Sequence, residues 1–425
     1  MRNHNVRRSL LRAALTGSTL LPSAFAGGIQ LYEIGTPDVG LASAGWAARA
    51  QDASTLFKNP AGMSLLSGPQ IESGIQLLYG DVAFTPDSDT SPRLGTDGGG
   101  NAIGALPGLS LFYVQPLGEK WRIGFGTLSY FGLAANYDPE WVGRYYTQKS
   151  TLVGVTLIPS LSYQVNDWLS VGAGLNAMYG YFDTEVAVNN LDPRIGDGQL
   201  SLNDRAWGFG ADVGILIQAS EQTRFGLNYL SAVDLDFKAT PKFSNLGPAL
   251  SQALANPAQL NLGITAPQSM MASVYHQLND RLGLMADFGW QNWAAFGQVQ
   301  VGVDSLEPKS LTTDLQYQNT FHGAVGAQYQ LTTQWLLTTG VAYDSSAVSD
   351  ENRTVTLPMG TALRAGVGVQ WRVSKSVTLG AAYEFMWAGD MSVDQGSNTD
   401  LRGRVAGSYD NSSFSFLTLS LNWHL

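Results

Sequence analysis

The sequence predicts an all-β fold, a 14-stranded antiparallel transmembrane β-barrel with an N-terminal hatch. Three observations predict it. Apolar and polar residues alternate with period two from about Gln70 to Leu425, the connections between these segments alternate between short and long, and a compact non-strand stretch precedes them.

Composition supports this class and excludes others. The 425-residue chain carries only 14% charged residues, where a soluble protein would carry about 25%. Its hydrophobic content of 44% is ordinary, and no run of about twenty apolar residues follows the N-terminus, so helical spans are excluded. A barrel reconciles these facts, because alternate residues face lipid and lumen and no single segment looks very hydrophobic. A net charge of -10 without basic clusters argues against a nucleic-acid partner. Cysteine is absent, which removes disulfides and thiolate metal sites and suits a chain that crosses an oxidising periplasm. No cofactor and no metal is expected, since Asp87-Ser88-Asp89 and Asp97-Gly98 lack EF-hand spacing.

Residues 1–26 read as a signal peptide. Arg2, Arg7, Arg8 and Arg12 form its basic region, an apolar stretch covers 10–21, and Ala24-Phe25-Ala26 is a small-x-small cleavage site. Residues 27–66 form the expected hatch, with Ala-rich helical spacing over 41–57 that stops at Asn59-Pro60, where proline removes a donor and restricts the residue before it. Residues 67–425 form the barrel. Its expected strands are 69–80, 107–116, 121–131, 151–165, 168–186, 204–219, 222–238, 267–278, 281–303, 315–330, 334–344, 361–373, 376–387 and 412–425.

Register follows from what lipid tolerates. In 361–373, Leu363, Val367 and Trp371 face outward and Arg364 inward, because arginine against lipid near the midplane costs about 2–4 kcal/mol. Leu417, Leu419, Leu421, Trp423 and Leu425 make the last strand an amphipathic end suited to barrel-assembly machinery. Tyr79, Trp121, Trp168, Trp335 and Trp371 lie near strand ends and supply interfacial girdles. Short turns belong on the periplasmic side and long loops outside.

At this resolution of detail the residues resemble the FadL/TodX family of outer-membrane channels for hydrophobic compounds. The resemblance rests on Gly28-Ile29-Gln30-Leu31, Gly40, Ala44-Gly45, Asp52-Ala53 and Asn59-Pro60-Ala61, and resumes at Tyr130-Phe131-Gly132, Trp207-Gly208-Phe209-Gly210, Gln291-Asn292-Trp293 and Asn352-Arg353. It implies passive uptake of long-chain fatty acids or other hydrophobic compounds. Ile29, Asn59, Pro60 and Ala61 would belong to the hatch, and Gly132 would mark an inward kink in the third strand that opens sideways into the bilayer. The loop 239–266, with Phe243, Leu246, Leu250, Leu254 and Leu260, is apolar enough for capture, or its leucines pack the loop on itself; 248–254 reads as a short helix. Expected partners are hydrophobic small molecules, outer-membrane lipid and lipopolysaccharide, and the assembly machinery, with the chain monomeric in the outer membrane.

Departures from the family pattern bear on the permeant. The positions where fatty-acid members carry basic residues fall on Val186 and about Thr313; Lys309 is close in sequence, and Arg364 and Arg372 point inward. Neutral or aromatic hydrocarbons are therefore the alternative permeants. A polar-solute porin would want opposed charge rows in an open lumen. A barrel enzyme would need a nucleophile with a base, and His276, His322 and His424 sit on three separate expected strands.

Overall fold

The computed structural model describes residues 30–190, 192, 194–304 and 309–425. The expected signal peptide and Ile29 lie outside the described residues. In chain order the strands are β1 (Gln70–Asp81), β2 (Phe84–Pro86), β3 (Gly104–Leu117), β4 (Trp121–Asn136), β5 (Lys149–Gln164), β6 (Leu169–Val188) and β7 (Gly198–Gln218). Then come β8 (Thr223–Leu230), β9 (Val233–Ala239), β10 (Lys242–Ser244), β11 (Gln259–Ala266), β12 (Ser269–Gln277), β13 (Leu282–Gln291) and β14 (Gln298–Asp304). The chain ends with β15 (Lys309–Asp314), β16 (Thr320–Gln330), β17 (Trp335–Asp344), β18 (Ala362–Arg372), β19 (Val377–Gln395) and β20 (Val405–His424). Short helices are α1 (Thr36–Gly40), α2 (Thr55–Lys58), α3 (Pro248–Ala253) and α4 (Trp293–Phe296).

Fourteen strands, β1, β3–β8, β12, β13 and β16–β20, pair in order, and β20 pairs back onto β1 to close the cylinder. Closure is what lipid demands, because an unpaired backbone edge has no water to bond. Alternation fixes the faces. Leu363, Val367 and Trp371 on β18 and Leu417, Leu419, Leu421 and Trp423 on β20 are exposed outward, while Arg364, Glu384 and Thr418 are buried inward. Aromatic girdle pairs form beside the short turns: Trp335 stacks on Trp371 at 5.5 Å, and Trp121 meets Tyr163 at 4.4 Å.

Two expected strands are each divided. The stretch 222–238 becomes β8 and β9, and 281–303 becomes β13, α4 and β14. The pieces β9, β11, β14 and β15 form a separate four-stranded sheet at the long-loop end. Leu235 and Phe237 of β9 turn inward, with Phe237 against Phe182 at 5.5 Å, so the same period-two pattern serves two different sheets. At other places the strands outrun expectation: β7 begins at Gly198 and β20 at Val405, because their loop-side ends continue as paired hairpins above the membrane.

Residues 30–66 occupy the lumen. Inward glycines of the wall make room for their backbone. A Cβ on Gly340 would meet the Leu41 carbonyl, one on Gly366 the Val39 carbonyl, and one on Gly226 the Ala47 carbonyl. A larger residue at such a point must displace backbone rather than a mobile side chain. Gly340→Val is therefore expected to lift the segment around Leu41 while lipid-facing pairing persists. Ion conductance of the variant in planar bilayers should rise above the parent's while heat-modifiability on gels is retained; conductance equal to the parent's would contradict a seat at Gly340.

Candidate functional site: the lumen segment, a gap in the wall and an inner cavity

Asn59 is held by three side-chain bonds. It follows α2 with extended backbone, accepts from the Ala61 N–H at 3.1 Å, and its amide donates to the carbonyls of Ala47 (2.7 Å) and Ile215 on β7 (3.0 Å). Pro60 starts a 3-10 turn over Pro60–Leu65, where a missing N–H costs nothing. Asn59, Pro60 and Ala61 are thus brought together, joining the lumen segment both to itself and to the wall.

Charges complete this seat. Lys58 bonds Asp38 at 2.7 Å, Arg49 pairs with Asp52, and the Ser54 N–H donates to Glu72 of β1 at 3.1 Å. Burial pushes the Asp38 carboxyl up against the pull of Lys58. Burial acts on Asp52 in the same sense, but Arg49 and Lys58 outweigh it and hold that carboxyl below its usual range. Three strands away around the wall, Arg364 of β18 pairs with Asp344 of β17 at 2.7 Å, with Glu384 of β19 at 3.2 Å, and with Glu33 of the lumen segment. Asp287 of β13 accepts from the N–H groups of Gly45 and Trp46, each at 3.1 Å. Buried charges survive only when paired, so these contacts fix where the segment can rest.

One arrangement was not legible in the sequence. Ser43 Oγ lies 2.9 Å from His322 Nε2, and His322 Nδ1 lies 2.7 Å from Asp344, the connectivity of a hydrolase triad. Ser43 is buried, with only 2% exposure, and the neighbouring N–H groups of Gly45 and Trp46 are committed to Asp287 rather than open to an oxyanion. The contact instead supports a tight turn in which Ala42 and Ser43 have φ of 47° and 67°.

The wall itself has a gap. The β3–β4 ladder ends at Leu111↔Thr127, although β3 continues to pair with β1 as far as Gly104. Beyond that point β4 carries a bulge: Leu128 opposes Thr156 and Phe131 opposes Gly154, so Ser129 and Tyr130 face one residue of β5. The bulge shifts the alternation, and Tyr130 and Phe131 are both buried. The edge that β4 no longer offers to β3 is met by the lumen segment, where the Leu31 N–H donates to the Tyr130 carbonyl at 2.8 Å and Gln30 bridges Phe131. Between the parted strands lies a cavity lined by Glu33, Ile34, Leu109, Ser110, Leu128 and Ser129.

Gly132 stands just past the bulge, inside β4 rather than at its end. Its φ is 132°, and a Cβ there would meet the Leu152 carbonyl and Val153 backbone of β5. The irregularity thus centres on Ser129–Tyr130, and Gly132 lets β4 rejoin β5 closely.

An inner cavity lies on the other side of residues 30–34. Tyr32, Trp46, Phe57 and Tyr130 form its aromatic wall, in contact at 5.5 Å (Tyr32–Trp46), 6.1 Å (Trp46–Phe57) and 4.9 Å (Phe57–Tyr130). Gln30 and Ser269 bond each other at 3.2 Å on its rim, and Asn228 lines it too. Tyr32 and Tyr130 border the inner cavity and Glu33 the cavity in the gap; the sequence does not mark them as site residues, since period-two alternation around Tyr130 gives no sign of a bulge.

The loop residues divide. Leu260 is buried in β11, Phe243 lies half-buried on β10 against the core, and Leu246, Leu250 and Leu254 are half-buried on and around α3, which matches the expected helix. Among the inward arginines considered as cations for a carboxylate, Arg364 is committed to its three acids and Arg372 is exposed beside a short turn.

A family model described as outer membrane protein transport protein (OMPP1/FadL/TodX) matches residues 18–423. The long-chain fatty acid transport protein of Escherichia coli O6:H1 is 25% identical over 405 residues, covering 87% of this chain and 89% of that protein. Two solved structures share the fold. A Pseudomonas aeruginosa FadL homologue superposes with TM-score 0.83 at 22% identity, over 93% of this chain and 99% of its own. The P. putida toluene transporter TodX gives 0.70 at 18% identity, over 93% and 99%.

Two variants test how the lumen segment is held. Arg364→Met leaves Glu33, Asp344 and Glu384 facing one another and is expected to destabilise by about 3–5 kcal/mol, read from urea midpoints, with Glu33→Gln milder because two acids still hold the guanidinium. Asn59→Ala strands the Ala47 and Ile215 carbonyls and is expected to cost about 1–3 kcal/mol, with hydrogen exchange rising across 30–66 and not in β20. Uniform exchange over the whole barrel would assign Asn59 to barrel folding instead.

Proposed function

Because the chain belongs to the OMPP1/FadL/TodX family of outer-membrane transport proteins, we propose that it is a passive channel that takes hydrophobic compounds from the outer face and releases them sideways into the bilayer. It is a multi-pass outer-membrane β-barrel. The observation that carries the reading is the break in the β3–β4 ladder, capped from inside by Gln30 and Leu31. In this reading residues 30–66 act as a hatch. Permeant is captured among the loops near Phe243, Leu246, Leu250, Leu254 and Leu260, enters the aromatic cavity, and displaces the Gln30–Leu31 contact. It then leaves between β3 and β4.

Physical chemistry favours that exit. Each methylene gains about 0.8 kcal/mol on leaving water for hydrocarbon, so the membrane core is the natural destination and a watery route through the periplasmic end is not. The filled lumen also speaks against a polar-solute porin, which needs a continuous wet path. The relatives transport a long-chain fatty acid in one case and toluene in another by their names, which leaves the permeant class to this chain's own cavity.

The gap can be closed by chemistry. The chain has no cysteine, and Ser110 and Leu128 follow the last ladder pair Leu111↔Thr127 on the two parted strands. A Ser110→Cys/Leu128→Cys disulfide is expected to reduce uptake of a radiolabelled hydrophobic probe at least about tenfold, and dithiothreitol to restore it. Full uptake with the disulfide formed would refute the lateral route.

A further inference from the structure

We propose that the cavity between β3 and β4 is a built site for one ordered water molecule, which joins the lumen segment to the wall beside the gap. The proposal concerns the gap at rest and does not depend on its use as an exit.

Four polar groups that line this cavity have no hydrogen-bond partner among the described residues: Glu33 Oε2, Thr36 Oγ1, Gln76 Nε2 and Thr418 Oγ1. Glu33, Thr36 and Thr418 are only 2%, 2% and 3% exposed. Two of the groups come from the lumen segment and two from the wall. On the wall, Gln76 of β1 and Thr418 of β20 stand directly opposite each other in the ladder that closes the barrel, so their inward side chains are neighbours. On the segment, Thr36 packs over β19, where a Cβ on Gly380 would lie 3.0 Å from its Cγ2; Gly380 is opposite Ser420, two residues beyond Thr418. Buried polar groups are nearly always hydrogen-bonded, and these four face one small shared space.

The chemistry of the set selects water. The cavity offers about 20 Å³ to the centre of a water molecule, which is room for one. One water can donate to Glu33 Oε2 and to one threonine, and accept from Gln76 Nε2 and from the other threonine, since a hydroxyl serves in either role. All four groups are then satisfied at once. A metal cation does not suit the same place, because the Gln76 amide hydrogens face it and Arg364 already holds Glu33. An anion would meet the Glu33 carboxylate, and a methyl group would leave all four groups unpaired. Ile34, Leu109 and Leu128 complete the lining and bring apolar side chains beside the water. The water thereby links Glu33 and Thr36 to the seam of β1 and β20.

The experiment is synchrotron hydroxyl-radical labelling of the full barrel in lipid nanodiscs, read residue by residue by mass spectrometry. Radiolysis of a bound water makes the radical in place, so a buried side chain that touches it is oxidised without access to bulk solvent. Leu128 and Ile34 are 2% and 7% exposed, while Leu56 is fully buried and borders neither cavity. After correction for intrinsic reactivity, Leu128 and Ile34 are expected to be oxidised at least about threefold faster than Leu56 if they border a buried water. Thr36→Val/Thr418→Val keeps the side-chain shapes and removes two of the four partners. It is expected to bring both rates down to that of Leu56 while labelling of the outer loops is unchanged. Should the double variant not fold, Thr36→Val, which lies outside the wall, is expected to lower both rates in part. Leu128 and Ile34 labelled no faster than Leu56 overturns the site. Fast labelling that the valine variants leave unchanged reports bulk solvent and overturns a water held by these groups. Neither readout involves uptake, so both stand apart from the disulfide test of the lateral route.

Discussion

Every backbone N–H and C=O that faces hydrocarbon must be paired within the protein, and the rest of this structure depends on that constraint. It closes the sheet into a cylinder, with β20 returning to β1. It also makes any opening in the wall a chemical problem, since parting two strands bares an edge. Here the outer part of β4 leaves β3 at Thr127 and meets the lumen segment instead, through the Leu31 N–H and the Tyr130 carbonyl. The gap and the segment inside the barrel are therefore one device. Neither can move without changing the hydrogen bonding of the other.

In the proposed channel reading, that device has to be held firmly enough to seal and loosely enough to shift. Firmness comes from shape and charge: wall glycines admit the segment's backbone, and Asp287, Glu72 and Arg364 bind it from three sides. In that reading the part that shifts is Gln30 and Leu31, which cap the edge of β4 and line the inner cavity. Ile34 borders the gap, Leu31 borders the inner cavity, and Tyr32 reaches across to Gln291 at 2.8 Å. A ligand in the aromatic cavity would touch the same residues that cap the edge of β4.

The buried polar network also separates look-alike chemistry from function. Ser43, His322 and Asp344 are aligned, yet the serine is sealed and the nearby N–H groups are spent on Asp287. Geometry alone would suggest catalysis; burial and hydrogen-bond commitment assign it to holding a turn. The same reasoning assigns Arg364 to structure rather than to ligand charge.

The sequence by itself determined the barrel, its strand number, its register and the place of the Asn59-Pro60 turn. Those features are set locally, by period-two alternation against lipid, by the cost of outward arginine at positions such as 364, and by proline's missing donor. It also marked 248–254 as helical within a loop. What tertiary structure alone decided is where alternation serves a different partner. Leu235 and Phe237 continue the pattern of β8 but belong to a second sheet packed on Phe182, a choice made by contacts far apart in sequence. The irregularity before Gly132 proved to be a bulge at Ser129–Tyr130, because one extra residue is invisible until the register of β5 is known. Gln30, Tyr32 and Glu33 acquired their places from Ser269, Gln291 and Arg364, each more than two hundred residues away. No local period encodes such pairings; they exist only once the wall has closed around the segment.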